Sequence, residues 1–405
     1  MRLISIPKSE YENYRLDVIF KGYKWDPQFS DSNTISRHIL AITEAEDKEL
    51  EELTMKLDGE TVQAERMLNS DPKLAKPLAL PKKICKELKK TKNYRPEQHI
   101  RLMRYDFHPI LDGGWAVSEV NSDVPGGFAE ASLMPQIAAA SLKGKNYRHK
   151  NFGDVMAGAI AQKLGPGANI MLVHCTSYSD DRQVMQFLGD KLKLMGFNVI
   201  YAAADHLRFE NNEAVSILGG NTGKIDLIFR FTPLEWLTEM KPKRWQGYFD
   251  TVTPSCNHPV AAFAQTKRFP FVWDALEKLG ARFPAWRELL PETTEAKQAK
   301  NIEGAIFKPA FGRVGENISI KEACGEGEYE KIMKDVKRHP GRYVAQKRFA
   351  SKPLVSEEGE SFHVCLGSYS VEGIAAGYYA RISRAPRIDS GAADIPVIIE
   401  GEAAK

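Results

Sequence analysis

The chain has no uninterrupted apolar run near the roughly 18 residues that a membrane-spanning helix requires, and none is visible anywhere in its 405 residues. Its first residues, Met-Arg-Leu-Ile-Ser-Ile-Pro, lack the apolar core of a signal peptide, so a cytoplasmic location is expected. Cysteine is sparse: Cys85, Cys175, Cys256, Cys324 and Cys365 are odd in number and form no Cys-x-x-Cys pair. That excludes a disulfide framework and a zinc finger. His174 and Cys175 are adjacent, but neighbours on a strand face opposite sides, which makes a thiol dyad poor geometry. Charge imbalance is absent too. Lys plus Arg number 56 against 53 Asp plus Glu, with the basic residues spread out, so no nucleic-acid footprint is expected. The run Lys82, Lys83, Lys86, Lys89, Lys90 and Lys92 reads as a solvated helix face.

What is present suits a multi-lobed enzyme. Residues 43–58 read as a helix, with Thr43 and Glu46 spaced as a capping box and Leu50, Leu53 and Leu57 on one face. Ile100–Phe107 and Trp115–Val120 flank a Leu-Asp-Gly-Gly turn and read as a hairpin. Residues 169–203 give a strand, a helix and a second strand, and Ile225–Phe231 adds another, the signature of a parallel sheet. No Gly-x-Gly-x-x-Gly follows the first strand, which argues against a dinucleotide site. In the last third, Ala305–Pro309, Ile318–Ile320, Tyr343–Lys347 and the stretch Phe362–Ile382 suggest one antiparallel sheet. Polar segments near 208–222 and 351–361 are candidate lids.

Three clusters carry chemistry. Paired strands bring Asp106 and Glu119 to one end of the hairpin, and Glu119 and Asn121 share a face. Two carboxylates and an amide oxygen suit a hard cation such as Mg²⁺, although the same residues also fit a solvated strand end. Lys308 ends an apolar strand and precedes the glycine-rich turn of Gly312 and Gly315, a means of presenting an ammonium and backbone N–H groups to phosphate. Lys267 precedes it by a small subdomain, as a two-lysine nucleotide clamp requires.

Taken together, Arg104-Tyr-Asp106, Glu119-Val-Asn121-Ser-Asp123 and Lys308-Pro-Ala-Phe-Gly312-Arg313-Val-Gly315-Glu-Asn317 resemble the synthetase domain of glutathionylspermidine synthase, of the ATP-grasp superfamily. Trp25, Glu235-Trp236, the Lys267 segment, Tyr343–Gln346 and Gly-x-Tyr-x-Arg381 extend the resemblance from about residue 22 to the end. It implies an α/β ATP-grasp fold in three parts. These are an N-terminal helical region with the hairpin (1–165), a parallel lobe (166–255) and an antiparallel nucleotide-clamping and lid region (256–405). It also implies ATP and Mg²⁺ as cofactors and a small-molecule or peptide carboxylate and an amine as substrates, joined through an acyl phosphate.

By the same resemblance Asp106, Glu119 and Asn121 are the Mg²⁺ ligands, and Arg104 and Arg381 steady the phosphoryl group. Lys267, Lys308, Gly312 and Gly315 hold ATP, and Gln346 borders adenine. The amidase domain of the bifunctional relatives has no room here, so product hydrolysis is not expected. After Asp123 the chain runs Val-Pro-Gly126-Gly127 where many relatives have Thr or Ser. No carboxylate set matching a polyamine site is found. An ATP-grasp binding protein or small-molecule kinase without ligase turnover are the competing readings.

Overall fold

The computed structural model describes residues 1–91, 94–142, 147–313 and 315–401. Lys92 of the basic run and Val314 of the glycine-rich turn fall outside them. The fold is a mixed α/β one with both parallel and antiparallel sheets. Among the described residues no helix is long and apolar enough to cross a membrane. The remaining lysines of the basic run are exposed on and after helix Lys82–Leu88.

The first helix signal holds at its start and fails at its end. Thr43 Oγ1 accepts the Glu46 N–H at 3.1 Å and Glu46 Oε2 accepts the Thr43 N–H at 2.9 Å, closing the capping box. The helix runs on from Glu44 to Ser70 rather than stopping near 58. Thr61, Ala64 and Leu68 continue the buried stripe of Leu50, Thr54 and Leu57. Asp58 and Glu65 look like interruptions in the sequence, but both turn inward to ion-pair with Arg101.

This helix covers the central antiparallel sheet, whose strand order is Ala393–Ile395, Ile374–Ser383, Ser361–Val371, Leu102–Pro109, Trp115–Asn121. The sheet therefore differs from expectation. The strands of 362–382 pair with the first hairpin, while Ala305–Pro309 and Tyr343–Lys347 form a separate three-stranded sheet with Thr293–Glu295. The reason lies in burial: Ser361–Val371 is covered over most of its length and needs hydrogen-bonded neighbours on both edges. Ile318–Ile320 is not a strand. Ser319 instead meets Phe307 by two isolated bonds: its N–H donates to Phe307 O at 3.1 Å and its Oγ accepts the Phe307 N–H at 2.8 Å.

The parallel sheet is as expected, ordered Ser255–Cys256, Leu227–Arg230, Asn169–Val173, Asn198–Ala202. Segment 208–222 holds a small hairpin, Leu207–Glu210 with Glu213–Ser216, and contributes nothing to the cavity described below. The parallel and antiparallel sheets are tied at one point by charge. Arg230 Nη2 lies 2.5 Å from Asp123 Oδ1, with both side chains fully enclosed, and Asp123 Oδ2 accepts the Leu234 N–H at 2.8 Å.

Asp123→Ala leaves the Arg230 guanidinium buried without a counter-charge, so chemical denaturation should show a loss of about 3–5 kcal/mol, the usual cost of breaking such a pair.

Candidate active site

The hairpin's register places its polar residues on one face. Arg104 stands opposite Asn121 and Asp106 opposite Glu119, with a bulge immediately after Asp106 at which Ser118 is the extra residue. On the other side Asp106 pairs with Gly367. A Cβ at Gly367 would come within 2.7 Å of Arg104 Cδ and 3.0 Å of Asp106 Oδ1, so only glycine lets these two side chains lie flat across the sheet. There Arg104 grips Asp106 with two bonds, Nε to Oδ1 at 2.8 Å and Nη2 to Oδ2 at 3.1 Å, and donates from Nη1 to Gly126 O at 3.0 Å. Asn121 donates its amide N–H to Asp106 Oδ2 at 3.0 Å, which leaves its carbonyl oxygen as the group it can offer a cation.

The two lysines come to this face from elsewhere. Lys267 Nζ stands 2.6 Å from Glu119 Oε2 and donates to Gly312 O at 2.8 Å, so one ammonium joins the acidic hairpin to the glycine-rich turn. Lys308 is buried and, among the described residues, its ammonium has no hydrogen-bond partner. Burial, first, and the like charge of Lys267 bring its pKa down to about 8, against the pull of Glu119. Burial pushes Glu119 up, but Lys267, Lys308 and Arg104 together outweigh it and hold the carboxyl below its ordinary value. Asp106 is raised, by burial first and by Glu119, against Arg104.

Arg104, Asp106, Glu119, Asn121, Lys267, Lys308, Gly312, Gly315 and Arg381 all line a single cavity of about 600 Å³. Arg381 donates to Asp389 O at 2.7 Å and Ala392 O at 3.0 Å, and Gly315 (φ 67°) has no space for a Cβ, which would sit 2.2 Å from Ile388 O. Gln346 does not reach the cavity wall. Its Nε2 donates to Thr293 Oγ1 at 2.9 Å, and its strand neighbours Ile306 and Arg348 line the cavity instead.

The cavity has two further ends that sequence reasoning missed. One is apolar, with Ile306, Ile320, Phe349 and His108. His108 donates from Nδ1 to Val364 O at 3.1 Å and accepts from Ser118 at Nε2, 3.0 Å; burial drops its pKa to about 3, so it stays neutral. The other end carries Asp26, Glu130, Asp180, Asp181 and Asp394 around Lys24. This is a carboxylate set of the kind the sequence did not reveal, because its members are scattered over the whole chain. The adjacent Asp180 and Asp181 at the start of helix Ser179–Leu194 were the one local signal. Tyr379 connects the acidic end to the polar face of the hairpin: its ring lies 5.0 Å beneath the Arg104 guanidinium, and its hydroxyl donates to Asp394 Oδ1 at 2.7 Å.

Comparison with known proteins agrees with the motifs. A protein of Haemophilus influenzae (strain ATCC 51907 / DSM 11121 / KW20 / Rd) named "Putative acid--amine ligase" is 24% identical over 295 residues, 70% of this chain and 71% of its own. The solved structure of a glutathione synthetase-like effector from Globodera pallida, in its apo form, shares the fold, with a TM-score of 0.64 over 97% of this chain and 98% of its own at 11% identity. Residues 6–400 match the family described as glutathionylspermidine synthase preATP-grasp, and the chain belongs to that family.

Proposed function

We propose that the chain is an ATP-dependent carboxylate–amine ligase of ATP-grasp architecture, which activates a carboxylate as an acyl phosphate and joins it to an amine. The observation that carries the reading is the cavity in which two carboxylates and an amide from one hairpin meet two lysines from distant segments. Gathering these charges in a buried space is costly without a ligand that uses both signs. A metal-bound polyphosphate is such a ligand.

Among the described residues no group of three or more His, Cys, Asp or Glu is placed to hold a metal alone. Two carboxylates and one amide oxygen fit Mg²⁺, which takes few protein oxygens and completes its shell with water and phosphate. Asp106, Glu119 and Asn121 would hold it, and when bound it neutralises phosphate charge. Lys267 and Lys308, which reach that same face from distant segments, would meet the charge of the triphosphate, with the glycine-rich turn of Gly312 and Gly315 beside it. The apolar end accommodates the base.

The chemistry then needs only positioning and charge neutralisation. A carboxylate oxygen of the acid attacks the terminal phosphorus of ATP, ADP departs, and Arg104 and Arg381 balance the charge on the transferred group. The amine nitrogen next attacks the acyl carbon; the bond to the phosphate oxygen breaks and inorganic phosphate leaves. The amine, entering as an ammonium, gives up one proton before it attacks and a second as the amide forms. The acidic end, where burial, first, lifts Asp181 to about 6, takes the first, and the departing phosphate takes the second. No protein nucleophile takes part.

The direct test supplies ATP, Mg²⁺ and pools of peptides, amino acids and amines, and follows ADP and product mass. ADP release only when acid and amine are both present, with an amide product, is the expected result. A stable phosphorylated product would establish a kinase instead, and bound but unconsumed ATP a binding protein.

Asp106→Asn and Lys308→Met should each lower turnover by at least about 100-fold with circular dichroism unchanged, since each removes charge from the phosphate site.

ATP affinity should fall as pH rises through 8. Below that point Lys308 is an ammonium in the free protein; above it the group is neutral, and binding a polyphosphate must take up a proton. Calorimetric titration should show a loss approaching about tenfold per pH unit above 8, and Lys308→Met should flatten the profile.

A further inference from the structure

Lys24 is an unusual neighbour for an amine substrate. It is buried, and its Nζ lies 2.8 Å from Asp394 Oδ2 and 3.0 Å from Glu130 Oε1, at the acidic end of the cavity. Its position is fixed by backbone. After helix Lys8–Phe20 the chain turns through Gly22, where a Cβ would meet Val18 O at 2.5 Å, and through Tyr23 in the left-handed region at φ 58°. Gln183 Oε1 then accepts the Trp25 N–H at 2.8 Å, and the Tyr23 hydroxyl donates to Asp190 at 2.9 Å, pinning the turn to helix Ser179–Leu194.

The carboxylates around it divide into used and unused. Asp394 is filled, by Lys24 on one oxygen and by Tyr379 on the other, which also lies 3.6 Å from Arg381 Nε. Glu130 is half filled: it is 7% exposed, and its second oxygen, Oε2, is buried without a hydrogen-bond partner among the described residues. Neither Asp180 nor Asp181 has an ion-pair partner among the described residues. Burial, first, and the nearby charges of Asp26, Glu130 and Asp394 raise Asp180 despite Lys24, the condition of a carboxylate short of cations. Lys24 thus fills the place between Asp394 and Glu130 Oε1, while Glu130 Oε2, Asp180 and Asp181, on the same cavity, are left without a cation among the described residues.

We infer that Lys24 is a specificity-determining residue: it supplies one of two cations that this end accommodates, so the amine substrate enters with a single ammonium, as a monoamine or amino acid does. This rests on the ligase reading above for the identity of the end as the amine's place. A diamine gains little from its second ammonium, because with the first at Asp180 and Asp181 the second would fall beside Lys24 on Glu130 and Asp394, where the two cations repel.

Binding of n-butylamine and 1,4-diaminobutane, measured by calorimetry on the full chain without ATP or acid, tests this directly. Wild type should bind the two within about threefold of each other, while Lys24→Gln should bind the diamine at least about tenfold more tightly than the monoamine. Lys24→Arg, which keeps the charge, should behave as wild type, and adding Glu130→Gln to Lys24→Gln should abolish the gain. Equal affinities in folded Lys24→Gln overturn the inference, as does a wild type that binds neither amine or prefers the diamine tenfold. Should Lys24→Gln be too unstable for calorimetry, its unfolding midpoint carries the same comparison, since a ligand of the native state raises it by mass action. A larger rise with diaminobutane supports the inference, and equal rises overturn it. Failure of the ligase reading would show separately, as no ADP from wild type with any acid and amine pair.

Discussion

The constraint on which the structure depends is the cost of burying opposite charges side by side in the wall of one cavity. Arg104 with Asp106, Lys267 with Glu119 and Lys24 with Asp394 and Glu130 each satisfy it locally. Lys308 does not, and its lowered pKa records the deficit. A cavity walled in this way is stable when empty because cations and anions of the chain serve one another. On the proposed reading it becomes receptive because both signs can exchange those partners for a metal and a polyphosphate.

Holding the pairs in register is the work of the antiparallel sheet and its ties. Gly367 leaves room for Arg104 across Asp106, and the bulge at Ser118 sets Glu119 and Asn121 on that same face. The loop leaving the hairpin is then fixed from two sides: Gln265 Oε1 accepts the N–H groups of Ser122 and Asp123 at 2.8 and 2.9 Å, and Asp123 reaches Arg230 in the parallel sheet. Gln265 is two residues before Lys267. The segment that carries one ATP lysine on the proposed reading is therefore the segment that anchors the metal hairpin, so neither can shift without the other.

Much of this site was legible because its parts are local. Asp106, Glu119 and Asn121 stand within one hairpin, where period and turn length dictate who faces whom, and Lys308 announces itself by the glycines that follow. The long helix was legible at its cap and not at its end, since Asp58 and Glu65 read as solvent residues until Arg101 is seen between them. The partners of strand Ser361–Val371 were illegible because apolar alternation says that a strand is buried, not which edge it joins. The acidic end was illegible for a stronger reason: residues 24, 26, 130, 180, 181 and 394 share no spacing, and only the completed fold assembles them. Gln346 shows the complementary limit, for its strand is where the motif suggests while its amide turns to Thr293.

The two polar ends of the cavity are not independent, and Tyr379 is the reason. Its ring supports the Arg104 guanidinium from below and its hydroxyl is spent on Asp394, the carboxylate that also holds Lys24. Gly127, at φ 92°, leaves no space for a Cβ, which would strike that ring at 2.6 Å, so the ring is closed in from the loop side as well. Tyr379 thus touches both the carboxylate at the acidic end and the Arg104 guanidinium, so the two regions share one side chain. On the proposed reading that arrangement suits a ligase, since the amine would be registered through one side chain by the cation that balances the acyl phosphate.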